Sequence, residues 1–226
     1  MQKQTLTAGQ IVRTAIEILD AEGLDGLNMR ALGKRLNSAP TAMYWHVKNK
    51  DNLVRLAVDE AWNEVALPDV DARDWRTPAT ALAVGLHEML ARHPWIVQAL
   101  AGHFLYGEGK SRYDDRLLAV YESAGLSPAE ADQAAATAFM LALGNTVGAA
   151  ANVALARKVN LDGGDPGELM RESLAEATRI ASAFPRLRER FDASGSGYND
   201  APVDTFAFGL TTFLDGLEQR LAARRP

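Results

Sequence analysis

The sequence predicts an all-α protein, and two observations support that prediction. No stretch alternates apolar and polar residues over the length of a strand, and no hairpin dipeptide separates two runs of β-branched residues. Apolar residues instead recur at helical spacing along the chain, between residues that typically begin or end helices. With 226 residues, 47% of them hydrophobic, the chain can bury a large core in one or two domains.

Capping residues mark the first two helices. Thr7 and Gln10 have the form of a capping box, which predicts a helix that stops near Gly23. Asn28 is a typical N-cap residue, and apolar residues follow it at helical spacing. A second, short helix is therefore expected to run through Leu36.

A tight turn at Asn37 and Ser38 separates this helix from a third, because Asn tolerates the left-handed conformation. Ser38 is a candidate cap for the third helix, predicted over about Ala39–His46, and Pro40 is acceptable in a first helical turn. Asn49 is a candidate cap for a fourth, longer helix. Its expected buried stripe consists of Val54, Ala57, Val58, Ala61, Trp62 and Val65.

The remaining sequence predicts more helices joined by short loops. Residues 66–75 are acidic, contain one proline and are expected to form a linker. Later loops are expected at residues 159–167 and 191–204. Helices are predicted from Thr77 to about His93, over about 15 residues before residue 124, from Ser127, after Asp165, and over about residues 202–223.

Residues 133–156 contain no charged side chain and are long enough to span a bilayer. The stretch is rich in alanine, however, and polar residues such as Gln133 and Asn145 are spread through it. We therefore expect a central, buried helix and no membrane span. Gly144 and Gly148 have the spacing that allows two helix backbones to approach closely, inside the bundle or across a dimer.

Charge is distributed unevenly along the chain. The net charge is −5, yet residues 28–50 contain no carboxylate and five basic side chains, Arg30, Lys34, Arg35, Lys48 and Lys50. A basic patch on an acidic protein is where a polyanion would bind. A solvated basic face is the alternative interpretation.

The two short helices and the turn between them have a helix-turn-helix arrangement, in which the later helix enters the major groove of DNA. Thr41 suits base edges, and Ala42 allows close approach. Tyr44 can donate its hydroxyl to a phosphate, while Lys48 and Lys50 follow the helix where the DNA backbone would run.

The remaining residues of these helices include another candidate for a base contact, two expected core residues and two residues whose role is open. Arg30 is the best candidate for a bidentate contact with guanine. Met43 and Val47 are expected in the core, Trp45 either packs between helices or contacts DNA, and His46 either bonds within the fold or contacts phosphate. The predicted DNA-binding residues are Arg30, Ser38, Pro40, Thr41, Ala42, Tyr44, Trp45, His46, Lys48 and Lys50.

The span from Thr7 to Leu67 resembles the DNA-binding domain of the tetracycline-repressor (TetR) family, and the string YWHVKNK at residues 44–50 is the most specific part of the resemblance. The sequence departs from the family at Asn37, where glycine is common. Residues 38–42, SAPTA, differ from the tetracycline repressors themselves, so a different operator is expected. The resemblance implies DNA contacts at Arg30, Pro40, Thr41, Tyr44, Trp45, His46 and Lys50.

The rest of the chain is similar in kind to the family's regulatory domain. The resemblance implies a ligand cavity and a homodimer formed by the uncharged helix and the last helix. Counted without gaps, the positions that bind drug and metal in tetracycline repressors fall on Ala66, Leu82 and Leu100. None is a polar ligand, so neither tetracycline nor a bound metal is expected.

A mostly apolar or aromatic effector is the expected ligand of this second domain. No cofactor is expected. The candidate residues for the wall of the effector cavity are Trp62, Met89, His103, Phe104, Phe139 and Asn145.

These observations predict a ligand-responsive repressor with a DNA-binding domain at residues 1–67 and a ligand-binding and dimerisation domain at 68–226. The alternative is a helical small-molecule-binding protein without sequence-specific DNA binding. An enzyme is not expected, because His87 and His93 are spaced too far apart for a HExxH zinc motif. The absence of cysteine and of an apolar leader predicts a cytoplasmic protein.

Overall fold

The computed structural model describes residues 6–194 and 205–224, and within them every regular element is a helix, which confirms the predicted all-α class. A 3₁₀ turn at Trp62–Glu64 follows the fourth α-helix. The α-helices of the described ranges are α1 (Ala8–Gly26), α2 (Met29–Leu36), α3 (Pro40–Val47), α4 (Lys50–Ala61), α5 (Arg76–Arg92), α6 (Trp95–Gly102), α7 (Glu108–Ser123), α8 (Pro128–Leu161), α9 (Pro166–Ala181), α10 (Pro185–Ser194) and α11 (Thr205–Ala222).

The helices fall into two compact units, Met1–Ala150 with Phe206–Pro226, and Ala151–Thr205. The large core belongs to the first unit, where Ile11, Ile18, Trp95, Tyr113 and Tyr121 are among the largest fully buried side chains. Helices α1 and α4 pack on each other, and they also contact α6 and α7 respectively. The predicted domain boundary at residue 67 stays a prediction, because the two compact units do not divide the chain at that residue.

The predicted caps of the first helices are present. Thr7 accepts a hydrogen bond from the amide of Gln10, whose side chain accepts from the Thr7 amide in return. The Asn28 side chain caps α2 by accepting from the amides of Arg30 and Ala31. These bonds satisfy amide groups that have no partner within their own helix.

The turn after α2 has the predicted left-handed residue. Asn37 has φ 46° and ψ 45°. The Ser38 amide donates to the carbonyl of Gly33 at 3.0 Å, which closes the end of α2. The prediction that Ser38 caps α3 is wrong, because α3 starts one residue later, its N-cap is Ala39, and no side chain caps it.

Helix α4 buries the predicted stripe in full. Val54, Ala57, Val58, Ala61, Trp62 and Val65 are all buried. Residues 66–75 are not helical, as expected for a linker.

Several elements differ from the predictions. Helix α1 continues to Gly26 through a kink at Gly23, whose φ of 73° glycine adopts without a steric penalty. Helix α6 was not predicted, because the short apolar run after His93 and Pro94 lacks a capping side chain. Helix α8 extends to Leu161, so part of the loop predicted at 159–167 is helical. Helix α10 extends to Ser194, so residues 191–194 of the loop predicted at 191–204 are helical as well, and residues 195–204 lie outside the described residues.

Substitution of Asn37 tests the left-handed turn. We expect Asn37→Ala to lower the free energy of unfolding by about 1 kcal/mol, because alanine is disfavoured at positive φ. Asn37→Gly should change it by less than about 0.5 kcal/mol, since glycine adopts this conformation freely. Chemical denaturation of the three proteins measures the difference, and equal stability of the alanine and glycine variants would contradict the prediction.

Candidate nucleic-acid interface

Helix α3 has one buried face and one exposed face. Met43 and Val47, four residues apart, are each 0% exposed and pack in the core, as the sequence predicted. Ala42 is exposed on the helix, and Pro40 and Thr41 lie in its first turn. The buried pair fixes which way α3 faces, so the rest of the helix is presented to a partner.

The exposed face of α3 carries three side chains with hydrogen-bonding groups. Tyr44 is 48% exposed and Trp45 is 91% exposed, and His46 is exposed as well. The sequence left Trp45 and His46 between a packing role and a contact role, and the structure places both outside the core. An indole ring presented to water beside cations is available for stacking and for hydrogen bonding to a phosphate.

Exposed basic side chains flank α3 in the sequence. Arg30, Lys34, Arg35, Lys48 and Lys50 are all exposed. An exposed basic segment without a carboxylate suits a polyanion.

Two of these cations also bond within the domain. Arg35 pairs with Glu22 at 3.0 Å. The Lys50 ammonium donates to the carbonyl of Leu24 at 2.7 Å, near the end of α1. A lysine ammonium has three donors, so this bond leaves Lys50 able to contact phosphate while it anchors the start of α4.

Lys48 occupies an unusual backbone conformation at the end of α3. Its φ is 49° and ψ −57°, and its amide donates to the Tyr44 carbonyl at 3.2 Å. A non-glycine residue at positive φ is uncommon and often belongs to a functional segment. The turn at Lys48 directs the chain from α3 straight into α4.

Close packing attaches α4 to the start of α7. The Asp59 carboxylate accepts from the Lys110 amide at 3.1 Å, in the first turn of α7. A Cβ at Gly107 would lie 2.0 Å from Asp59 Cγ, and one at Gly109 would lie 2.3 Å from the Asp59 carbonyl oxygen. Both positions therefore need glycine, and sequence inspection missed this contact because the two segments are far apart in the chain.

The predicted effector residues do not meet in one cavity. Trp62 is buried, with its ring 4.8 Å from that of Tyr113, and it borders a cavity of about 470 Å³ with Asn63 and Arg112. His103 and Phe104 border another, of about 350 Å³. Neither of these two cavities is lined by Met89, which is buried, or by Phe139 and Asn145, which are partly buried.

The second cavity is open and partly polar. Phe104 is 86% exposed and packs 5.6 Å from Tyr106, whose ring lies 4.8 Å from the Arg55 guanidinium. His103 is 3.5 Å from the Asp51 carboxylate. His103 and Phe104 are among the effector residues predicted from the sequence, whereas Arg55 of α4, which has no distinguishing motif, was not predicted to lie beside them.

One buried tyrosine was also missed by the sequence analysis. Within the described part of the chain, the Tyr121 hydroxyl is the one buried side-chain polar atom that has no hydrogen-bond partner. Burial raises the pKa values of both Tyr113 and Tyr121 above the usual range. Tyr113 donates to the Leu82 carbonyl at 3.2 Å, so it differs from Tyr121 in having a partner.

Comparison with known proteins identifies the architecture. The family description "Bacterial regulatory proteins, tetR family" matches residues 11–57, and "Tetracyclin repressor-like, C-terminal domain" matches residues 67–221. The chain belongs to the TetR family. It is therefore a helix-turn-helix transcriptional regulator, and the alternative of a binding protein without sequence-specific DNA binding is not favoured.

Relatives extend over most of this TetR-family chain. An HTH-type transcriptional regulator of Saccharopolyspora erythraea is 31% identical over 87% of this chain and 79% of its own length. The HTH-type transcriptional repressor DrrR1 of Streptomyces coeruleorubidus is 28% identical over 99% of this chain and 81% of its own. Both relatives are described as transcriptional regulators.

Solved structures share the fold. Apo ActR of Streptomyces coelicolor is 22% identical, with a TM-score of 0.74 over 97% of this chain and 98% of ActR. ActR in complex with (S)-DNPA is 25% identical, with a TM-score of 0.70 over 96% of this chain and 98% of ActR.

The exposed and buried faces of α3 predict effects of different size on stability for two substitutions. We expect Trp45→Ala to change the free energy of unfolding by less than about 0.5 kcal/mol, because this side chain is exposed. Met43→Ala should lower it by about 2–5 kcal/mol, because it leaves a cavity in the core. Urea denaturation checks both, and a marked loss of stability in Trp45→Ala would show that the indole packs within the protein.

Proposed function

We propose that this regulator is a ligand-responsive repressor that binds a roughly palindromic operator as a homodimer and dissociates when a small molecule binds its regulatory domain. The observation that supports the DNA-binding part most directly is the free face of α3, where Trp45 is 91% exposed beside an acid-free basic segment. The protein would act in the cytoplasm, without catalysis, cofactor or metal.

Each predicted DNA contact has a role in this proposal. Helix α3 enters the major groove, where Thr41 and Ala42 approach base edges and the thymine methyl group. Arg30 at the start of α2 forms the bidentate contact with guanine. Phosphates are contacted by Ser38, Tyr44, Trp45, His46, Lys48 and Lys50. Pro40 has no N–H donor, so its contact with DNA is an apolar one.

The dimer is proposed to form through α8 and α11. Among the described residues, α8 is the one helix long and apolar enough to cross a membrane, and length and composition alone are weak evidence for a span. Only 22% of its most apolar stretch is buried, so the expectation of a buried central helix is wrong for the single chain. Met140 is 70% exposed and Phe208 is 74% exposed. An apolar surface of this kind suits a second copy of the chain better than water.

Small residues on α8 fit the same proposal. A Cβ added at Gly144 or Gly148 would meet no atom within 4 Å, so neither glycine is required by a neighbour within the described chain. The close backbone approach that this spacing allows would then be made by the partner subunit. The Glu130 carboxylate of α8 accepts from Arg224 at 3.0 Å, which ties α8 to the end of α11 and lowers the pKa of Glu130.

The effector is proposed to be mostly apolar or aromatic. Counted without gaps, the positions that bind drug and metal in tetracycline repressors fall on Ala66, which lines the cavity beside Trp62, on the buried Leu82 and on the partly buried Leu100. These side chains suit an apolar ligand better than a metal-bound one. The ActR structures, whose ligands are (S)-DNPA and actinorhodin, show that a protein of the same fold binds small molecules.

An unpaired hydroxyl offers the effector one polar contact. Tyr121 is 0% exposed and its hydroxyl has no partner within the described residues. A buried polar group without a hydrogen bond destabilises the folded state, and such groups often belong to functional sites. Because Tyr121 lines neither of the two cavities described above, an effector with a carbonyl or hydroxyl group would reach this hydroxyl only after the surrounding side chains move apart.

Selection from a random duplex pool tests the repressor proposal. Purified protein should enrich a two-fold symmetric site, and the affinity for that site should fall steeply with salt as phosphate-bound counterions are released. Weak binding without an enriched sequence would contradict the proposal.

Two substitutions distinguish sequence recognition from phosphate contact. We expect Arg30→Ala to weaken operator binding by about 1–3 kcal/mol and to relax the sequence preference at one base pair. Lys50→Ala should weaken all duplexes about equally and reduce the slope of affinity against salt by about 1. Binding titrations over a salt series measure both effects.

Matched controls for these substitutions lie outside the interface. Arg188→Ala and Lys158→Ala remove exposed cations from α10 and α8. They should leave operator binding and its salt dependence unchanged. If Arg30→Ala and Lys50→Ala also bind like the parent, the proposed docking of α2 and α3 is wrong.

The proposed dimer surface predicts how one substitution changes the affinity of the dimer. Met140→Glu should raise the dimer dissociation constant by at least about tenfold, because two carboxylates would be placed in an apolar interface. Phe104→Glu, at a side chain that is 86% exposed outside α8, is the control and should leave the molecular mass unchanged. Sedimentation equilibrium measures both, and a dimer of undiminished affinity in Met140→Glu would place the interface elsewhere.

A further inference from the structure

The cavity of about 470 Å³ beside Trp62 is walled mainly by apolar side chains. Trp62 and Val65 are buried, and Ala66 and Leu67 are exposed at its edge. Cavities of this size commonly hold small molecules, and the exposed edge gives solvent access. The indole and the aliphatic side chains suit the apolar or aromatic body of the proposed effector.

Arg112 of α7 is the one charged side chain among the described residues that line this cavity. Its Nη2 donates to Oδ1 of Asn63, another lining residue, at 2.6 Å. The Asn63 amide group in turn donates to the Glu60 carboxylate at 3.0 Å. This chain of hydrogen bonds restricts the guanidinium to the edge of the cavity.

The described residues give Arg112 no carboxylate partner, in contrast to the neighbouring cations of α7. Lys110 pairs with Asp114, and Arg116 lies 4.0 Å from Asp69. Arg112 bonds instead to the neutral amide oxygen described above. A guanidinium has five N–H donors, so further donors remain for a ligand.

Two other cations of α7 contact residues of the same cavity. The Lys110 ammonium lies 5.6 Å from the centroid of the Trp62 ring, and Arg116 donates to the Leu67 carbonyl at 3.4 Å. Their own carboxylate partners offset part of this charge, so Arg112 contributes most of the field. An anionic group beside Arg112 is attracted by these charges, and a cationic group is repelled.

We infer that the effector is an aromatic carboxylate, whose ring lies against Trp62 and whose carboxylate binds Arg112 through paired hydrogen bonds. The planar guanidinium matches the two oxygens of a carboxylate, which gives charge-assisted bonds of defined direction. The inference rests on the proposed function, because it names the chemical class of the effector. Arg112 has no part in the proposed DNA contacts.

A ligand in this position contacts two segments that move α3. Trp62 directly follows α4, and Arg112 belongs to α7. Such a ligand stabilises the arrangements of α4 and α7 in which both contacts are made, at the expense of the others. Because α4 follows α3 in the chain, the favoured arrangement also changes the spacing of the two α3 helices in a dimer.

Matched pairs of ligands test the charge separately from the ring. Isothermal titration calorimetry compares benzoate, 2-naphthoate and anthracene-2-carboxylate with the corresponding primary amides, at neutral pH and constant ionic strength. Each amide has the same ring system as its carboxylate and no charge. Wild type should bind at least one carboxylate about tenfold more tightly than its amide, an effect between that of an exposed ion pair and that of a buried charged hydrogen bond.

Substitution of Arg112 should remove this preference. Arg112→Gln should bind the carboxylate about tenfold more weakly than wild type does and the amide about equally well. Arg112→Lys should retain part of the preference, because an ammonium keeps the charge without the planar pair of donors. Arg188→Gln, which removes an exposed cation from α10, is the control and should behave as wild type. Urea denaturation verifies that each variant is folded.

Four results would overturn the inference. They are a carboxylate preference that survives in Arg112→Gln, tighter binding of the amides by wild type, and no binding of any of the three carboxylates. The fourth is an equal loss of affinity for carboxylate and amide in Arg112→Gln, which would show that this side chain only shapes the cavity.

Failure of the proposed function gives a different result, because the calorimetric test needs no DNA. Fluorescence anisotropy of a labelled operator measures release separately. If the carboxylates bind through Arg112 but leave the operator bound, the release mechanism is wrong and the carboxylate site stands. If an uncharged aromatic molecule releases the operator and no carboxylate does, the repressor proposal stands and the inference is wrong.

Discussion

The packing of α4 on both sides is the constraint on which the rest of the first unit depends. Leu53, Val54 and Ala57 are fully buried, and α4 contacts α1 as well as α7. A helix buried in this way cannot rotate about its axis without exposing apolar surface to water. Each Å² exposed costs about 25 cal/mol of free energy. The position of α3, which is separated from α4 by two residues, follows from the position of α4.

Hydrogen bonds at the two ends of α4 add to this apolar packing and fix the position of the helix. At its start, Asn49 caps the helix and the Lys50 ammonium bonds to the end of α1. Near its other end, Asp59 bonds to the first turn of α7, where Gly107 and Gly109 leave room for it. Hydrogen bonds specify where a helix sits more narrowly than apolar contacts do, because they depend on angle as well as distance.

The sequence predicted the features that arise from neighbouring residues. The caps at Thr7 and Asn28, the left-handed Asn37 and the buried stripe of α4 were all predicted correctly, because each depends on residues a few positions apart. The exposure of Trp45 could not be decided, since an indole on a short helix can face either way until the core is known. For the same reason, the DNA contacts assigned to individual side chains stay predictions.

Features that join distant segments were missed. In the sequence, His93 was noticed only as the second histidine of a failed zinc spacing, and its partners Asp20 and Glu64 lie 73 and 29 residues away. No periodicity links such positions. The candidate effector residues show the same limit, because aromatic residues were chosen by type, while Trp62 and Phe104 border different cavities.

Charge and burial together explain how an acidic protein presents a surface for DNA. The chain has a net charge of −5, but the segment that follows Asn28 and ends at Lys50 has no carboxylate. At physiological ionic strength, charges farther apart than about 8 Å are largely screened from each other, so DNA at α3 responds mainly to the basic residues nearby. In the proposed complex, the acidic remainder limits non-specific attraction elsewhere on the molecule. Specificity there comes from Arg30 and from the side chains of α3 that the buried pair Met43 and Val47 directs outward.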